Sequence, residues 1–381
     1  MIRSDRKAPP PQKTGPVTGI NFIGMLSHRG GIGNAARMNV KQIRNLPIKS
    51  TWCDFPSEDQ RDPRKIQWPK HNLNIFHFNP EAVNLHALME CKWFGYRNIL
   101  YAAWETTKVP DAWIEWDKWI DTLWVPSEFT KQAFVTSGWK GRIDVIPHFV
   151  SHVHRKQSSA HEPDLKTLRV MVPFDSKSRI ERKLPHLSIA ATILACLEAE
   201  VEHDIILKTH DAKPRDINAI ISKAVRLVEQ SAPSWDRKFN IELCPKWLEE
   251  VELSVLMASC HAVISLNRGE GFGLSGIEAM ASGIPIVWTN WGGSTQYMTE
   301  ANCYPVAPIA ITDVYGDDYF KTGQWAEPSL ASAVDQIKIL IDDIKSGRVD
   351  HVVEAGYAKA EEFNPIHVRQ LMKQSIERIL C

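Results

Sequence analysis

Apolar runs of strand length recur along this chain and alternate with stretches of helical period, and the alternation happens twice. The first series falls at 18–24 (Thr-Gly-Ile-Asn-Phe-Ile-Gly), 48–53, 73–78, 97–103, 121–125 and 143–146. The second falls at 168–173, 203–208, 261–266 and 284–288, with helical patterns at 185–200, 215–230, 247–258, 274–282, 328–346 and 366–379. In the helix over 328–346, Val334, Ile337, Ile341 and Ile344 share one face. Strand–helix–strand order implies parallel sheets covered on both faces. A polar stretch at 151–167, rich in Ser and His, separates the two series and reads as a linker. The expected layout is a flexible tail at 1–16, a doubly wound α/β domain at 17–150, the linker, a second such domain at 168–364, and a last helix at 365–381.

Composition narrows the function classes. The 381 residues suffice for two cores, and 44% are apolar. Lys plus Arg equals Asp plus Glu, 45 against 45, which argues against a dedicated nucleic-acid binder. No apolar run approaches a membrane span, and the basic, Pro-rich start has no apolar core of a secretory signal. Seven Cys, without any Cys-x-x-Cys, read as reduced thiols in a cytoplasmic chain.

Two glycine-rich loops carry the chemistry. Gly30-Gly31-Ile32-Gly33-Asn34-Ala35-Ala36-Arg37 follows the first strand and opens a helix. Glycines let backbone amides approach a ligand, and a helix N-terminus favours anions. Gly31-x-Gly33-x-x-Ala36, with Asp54 at the end of the second strand, also fits a dinucleotide fingerprint. The turn from Gly24 to Gly33 is longer than that fingerprint requires, and a loop packed at a domain edge is the plainer reading.

The second loop runs Asn267-Arg268-Gly269-Glu270-Gly271-Phe272-Gly273-Leu274 and enters a helix that carries Glu278 about one turn in. Carboxylates accept strong hydrogen bonds from sugar hydroxyls. An acid that merely complements the helix field would explain Glu278 poorly, because it lies too deep.

Glu270 and Glu278 form a Glu-x7-Glu arrangement, embedded in Glu-Gly-Phe-Gly-Leu and Glu-Ala-Met-Ala-x-Gly-x-Pro-Ile-Val. These residues resemble glycosyltransferase family 4, the retaining enzymes of GT-B fold. Trp124-Val125-Pro126-Ser127-Glu128-Phe129 and Val145-Ile146-Pro147-His148 resemble the end of that family's acceptor domain. Arg182-Lys183-Leu184-Pro185, Trp325-Ala326-Glu327-Pro328 and the Gly31–Arg37 loop resemble a bacterial branch rich in polysaccharide mannosyltransferases. The resemblance implies two Rossmann-like doubly wound domains facing a cleft. It implies that Glu270 contacts the donor hexose and that Glu278 holds the ribose. Lys183, with Arg182 or Arg179, would neutralise the leaving diphosphate. Gly271, Phe272, Gly273 and Leu274 would touch the hexose and phosphates, and Gly31 and Gly33 the diphosphate. The family's Arg-x4-Lys pattern meets Ser178 where it expects Arg.

Lys208 ends a buried-looking strand and is a further donor-side candidate. On the acceptor side, Asn79, Trp104 and Glu105 follow the strands at 73–78 and 97–103. The tryptophans at 113, 116, 119 and 124 read first as core packing and second as a peripheral membrane surface. The co-substrate implied is a nucleotide-diphosphate sugar, GDP-mannose by branch resemblance. The acceptor implied is a glycan or lipid-linked saccharide, at the cytoplasmic or inner membrane face. No Asp-x-Asp occurs, so no metal clamp is expected and no cofactor is implied. Two alternatives stay open: a nicotinamide-dependent oxidoreductase built on Gly31, Gly33, Ala36 and Asp54, and a non-catalytic nucleotide-sugar-binding module.

Overall fold

The computed structural model describes residues 15–55, 70–83, 88, 96–151, 153, 160–210, 212–317 and 319–380. Of the expected tail, 1–14 lie outside these residues, as do 152 and 154–159 of the expected linker. The chain divides into two compact units, Met1–His148 with Pro365–Cys381, and Phe149–Asn364.

The first unit is built on β1 (Ile20–Gly24), α1 (Gly31–Arg44), β2 (Ser50–Asp54), β3 (Leu73–His77), β4 (Arg97–Tyr101), β5 (Thr122–Val125), α2 (Glu128–Thr136) and β6 (Arg142–Val145). The strands form one parallel sheet in the order β2-β1-β3-β4-β5-β6. β1, β3 and β5 are buried throughout, as strands in a doubly covered sheet should be. A ladder of buried amides crosses the sheet at one register. Asn21 Nδ2 donates to Asn74 Oδ1 at 2.9 Å, and Asn74 Nδ2 to Asn98 Oδ1 at 3.0 Å. Slipping any of these strands by one residue would leave buried amides unpaired. The C-terminal helix Pro365–Leu380 belongs to this unit. Trp124 Nε1 donates to Ser375 Oγ at 2.7 Å, and that hydroxyl donates to Asp144 at 2.5 Å. Trp113 and Trp116 are buried, and Trp113 stands edge-on to Trp104 at 4.8 Å. This part of the tryptophan-rich run is core.

The second unit contains β7 (Thr167–Pro173), a short helical turn at Ile180–Lys183, α3 (Pro185–Glu198), β8 (Glu202–Lys208), α4 (Pro214–Ser231), β9 (Ile241–Cys244), α5 (Glu250–Ala258), β10 (Ala262–Ser265), α6 (Leu274–Ala281), β11 (Ile286–Thr289) and β12 (Tyr304–Val306). A hairpin, β13 (Pro308–Asp313) and β14 (Gln324–Pro328), precedes α7 (Leu330–Ser346) and α8 (Val349–Glu362). Its parallel sheet has the order β12-β11-β10-β7-β8-β9. Read from β9, that is the 3-2-1-4-5-6 order of a dinucleotide-type fold, and strand order reverses between β7 and β10. Residues 160–166, expected within the linker, pack on this unit. Leu165 is in its core, and Glu162 N donates to Ile344 O at 3.0 Å.

Four strands go beyond the sequence expectation. β9 is an edge strand whose Glu242 and Leu243 are exposed, β12 carries Pro305, β13 turns Ile309 to solvent, and its partner β14 mixes Trp325 and Ala326 with Gln324, Glu327 and Pro328. None presents the continuous apolar run that marks a central strand.

Candidate active site

Ligands of open α/β sheets bind beyond the carboxyl ends of the strands, where strand order reverses. In the second unit that point lies between β7 and β10. The turn after β7 carries Arg182 and Lys183, and the loop after β10 carries Glu270. Their side chains meet there. Lys183 Nζ lies 2.5 Å from Glu270 Oε1, and Arg182 Nη1 lies 3.3 Å from Glu270 Oε2. Arg182 is only 2% exposed and Glu270 8%. Burial alone would raise the Glu270 carboxyl. Lys183 and then Arg182 outweigh it and hold the group below its ordinary value. Glu270 is thus an ionised acid wedged between two cations.

The backbone of this site is braced from several sides. Arg182 also donates to Gly269 O at 2.5 Å and to Ser178 Oγ at 2.6 Å. Gly293 N donates to Glu270 O at 2.7 Å. Gly292 has φ +86°, and a Cβ there would come within 3.0 Å of Glu270 O. Tyr297 Oη donates to Gly273 O at 2.6 Å, and Gly273 itself sits at φ +83°. These positive dihedrals are why the loop needs glycine. Among the described residues no side chain caps the N-terminus of α6, whose N-cap is Gly273, and its field favours an anion there.

Other expected donor-side residues have different surroundings. Glu278 lies on α6, partly buried, and its carboxylate has no hydrogen-bond or ion-pair partner among the described residues. Burial, then the neighbouring Glu250 charge, pushes it up to about 8. Phe272 is buried against Tyr297 and Phe363, at 5.4 and 5.7 Å between rings. Gly271 is buried and Leu274 half-buried beside it. Lys208 Nζ donates to Lys246 O at 2.9 Å and to Thr209 O at 3.1 Å, strapping β8 to the loop after β9. Arg179 is half-exposed, has φ +63°, and lies 3.9 Å from Asp317.

The remaining candidates belong to the first unit. Gly31 is exposed with open space around it, whereas a Cβ on Gly33 would lie 1.9 Å from His28 O. Asp54 Oδ1 accepts from Ser27 N at 3.0 Å, inside the glycine loop. Asn79 Oδ1 accepts from Ala103 N at 3.0 Å and so joins the ends of β3 and β4. Trp104 is 1% exposed, and its Nε1 donates to Thr106 Oγ1 and Lys108 O at 2.7 and 2.6 Å. Glu105 is half-buried next to it. Sequence reasoning passed over Arg268, Asp317 and Gly292. The nearest signals were the position of Arg268 inside the acidic loop and the Trp325–Pro328 segment.

Residues 214–313 match the family model described as glycosyl transferases group 1. A search of curated proteins finds no match. Anabaena HepE, solved in complex with UDP and glucose, is similar over 94% of this chain and 99% of its own, with 13% identity and a TM-score of 0.64. Sucrose-phosphate synthase from Thermosynechococcus elongatus is similar over 94% and 98%, with 12% identity and a TM-score of 0.63. The pneumococcal O-GlcNAc transferase GtfA, in complex with UDP and GlcNAc, gives 16% identity and a TM-score of 0.55. The match covers 81% of this chain and 57% of that one, so this chain spans little more than half of that relative. At these identities the likeness to solved structures is one of fold, and the fold is GT-B. The matched domain and the shared architecture together support a glycosyltransferase superfamily. Among the described residues, no helix is long and apolar enough to cross a membrane.

Proposed function

We propose that this protein is a retaining, family 4-like glycosyltransferase that moves a hexose from a nucleoside-diphosphate sugar to a glycan or lipid-linked saccharide, in surface polysaccharide biosynthesis. The observation that carries this reading is the Lys183–Glu270–Arg182 cluster at the reversal point of the second sheet. A leaving diphosphate develops negative charge, and preorganised buried cations stabilise it where it forms. An acid sharing those cations stays ionised and can support positive charge at the anomeric carbon. The guanidinium of Arg182 reaches Ser178 Oγ, at the position where the family pattern has its arginine. That supports Arg182 as the inner arginine of the clamp and Arg179 as the outer one. Glu278, which has no partner among the described residues, suits two ribose hydroxyls, which would donate to its ionised form. Gly31 and Gly33 are assigned to the diphosphate, and Asn79, Trp104 and Glu105 to the acceptor side.

The donor read from branch resemblance is GDP-mannose. The UDP in the complexes of HepE and GtfA makes a uridine donor the second candidate. Lys183 and Arg182 supply the charge that a metal clamp supplies elsewhere, so no metal is assigned to the reaction. A peripheral contact with the inner membrane face accompanies a lipid-linked acceptor.

Thermal stabilisation against GDP, UDP, ADP, their sugar conjugates and NAD tests this reading. A ligand at 100 times its Kd adds ~2.7 kcal/mol. The expected result is a shift with one nucleoside diphosphate, unchanged by EDTA and reduced in Glu278→Ala. A shift with NAD alone would overturn the proposal in favour of the oxidoreductase.

A further inference from the structure

We propose that Arg268 is a positioning residue, which holds the loop bearing Glu270 in register with Arg182 and Lys183 by locking it to the β13–β14 hairpin. The proposal rests on reading that cluster as the nucleoside-diphosphate-sugar site. Arg268 Nε lies 2.9 Å from Glu327 Oε1, and its Nη2 donates to Glu327 Oε2 at 3.0 Å. The guanidinium carbon lies 4.8 Å from the centre of the Tyr315 ring and 4.7 Å from that of Trp325, two rings set edge-on to each other, and Nη2 also donates to Tyr315 Oη. Its third nitrogen, Nη1, donates to Glu181 O at 2.9 Å. The backbone of the same residue completes the junction. Arg268 N donates to Arg182 O, and Ala326 N donates to Arg268 O, both at 2.8 Å.

One side chain therefore joins three pieces of chain: the turn with Arg182 and Lys183, the loop with Glu270, and the hairpin. All three guanidinium nitrogens are engaged with protein, so Arg268 acts through its neighbours. It lies two residues before Glu270, and a small rotation of this loop would lengthen the Glu270 ion pairs. Displacements of ~1 Å at reacting groups are enough to cost ~100-fold in rate. Lysine cannot replace it, because an ammonium has neither the planar fork for Glu327 nor the flat face for the two rings.

The test uses Arg268→Lys and the milder Glu327→Gln in the full chain. Hydrogen–deuterium exchange of peptides covering 266–273 should accelerate ~10-fold in the ligand-free variants, with β3 and β4 unchanged as internal reference. Nucleoside-diphosphate release from UDP-glucose and GDP-mannose should lose ~10-fold or more in kcat with little change in KM. The acid limb of its pH profile should move to higher pH, because Glu270 would lose the cations that keep it ionised. Unchanged exchange with an unmoved acid limb in both variants would overturn the proposal. So would exchange that accelerates equally in both units, since that marks general destabilisation. If Arg268→Lys does not fold, Glu327→Gln decides. If the wild-type protein releases nucleotide from neither donor, the reading of the site has failed, while loop exchange still judges the positioning role.

Discussion

Two glycine-rich loops leave a strand and open a helix, one in each unit, and they are built to different ends. The β1–α1 loop is braced mostly from within. Gly30 N donates to His28 Nδ1 at 2.9 Å, and Arg37 Nη1 donates to Leu26 O and His28 O at 2.9 and 2.8 Å. The β10–α6 loop is braced from outside, by the 180–183 turn, by Gly293, by Tyr297 and by the hairpin. It also carries a buried carboxylate between two buried or half-buried cations, while α1 has no acid in its first turn. Glycine spacing alone reports where backbone must pass close to backbone. Chemistry is marked by charge that the fold takes out of water and then holds in place.

The sharpest way to break this contrast is Glu270→Ala. It leaves Arg182, 2% exposed, and Lys183 without their shared counter-charge. Breaking a buried pair from one side costs ~3–5 kcal/mol, and loss of an electrostatic stabiliser at the reacting centre costs ~10²–10³ in turnover. Because the Glu270 carboxyl is held low, the stabilisation it gives is complete above the ordinary carboxyl range and is lost as pH falls through its folded value. Denaturation midpoints of the wild type and Glu270→Ala should therefore converge in acid and separate towards pH 7. Midpoints separated equally at both pH values would show that the cluster is not an ion pair.

A smaller effect separates the two glycines of the first loop. Gly33→Ala puts a methyl group 1.9 Å from His28 O, a backbone atom that cannot swing aside. Overpacking of this kind costs ~1–3 kcal/mol. Gly31→Ala meets nothing within 4 Å at an exposed helical position and should be neutral or stabilise by up to ~1 kcal/mol. If Gly31→Ala nevertheless weakens nucleoside-diphosphate binding while stability holds, the first loop has a ligand role that its packing does not reveal.

Much of this could be read from the sequence, and what could not has a physical reason. The central strands announce themselves as continuous apolar runs because both faces are buried. β9, β12 and the hairpin lie at edges or outside the main sheets, where one side is wet and the pattern dissolves. At the site, the Glu270 segment and Lys183 were legible from local motif. The partners of Arg182 and Arg268 were not. Gly269 lies 87 residues from Arg182, and Glu327 lies 59 from Arg268. Such pairings depend on which strands become neighbours, and no local spacing encodes that. Lys208 stands at a strand's carboxyl end, and its two backbone-carbonyl partners, Thr209 O and Lys246 O, were equally illegible from local spacing.

The finest test concerns Glu278, the one acid of the second loop and its helix that has no partner among the described residues. Its carboxyl is pushed up to about 8, by burial first and Glu250 second. The folded chain therefore keeps a proton that the unfolded chain releases above the ordinary carboxyl range. Stability contributed by this group must fall as pH rises from that range through 8. Glu278→Gln removes the slope, so the variant should match the wild type near pH 5 and melt higher than it near pH 9. A melting difference that is the same at both pH values would mean that Glu278 is ionised throughout. Ligand binding sharpens the point. Ribose hydroxyls donate to the ionised carboxylate, so a nucleoside diphosphate bound at pH 6–7 should release a proton. Calorimetry in buffers of different ionisation enthalpy reads that proton directly, and Glu278→Gln should abolish it. Binding without proton release in the wild type would separate Glu278 from the ribose and leave Glu270 as the acid that defines the loop.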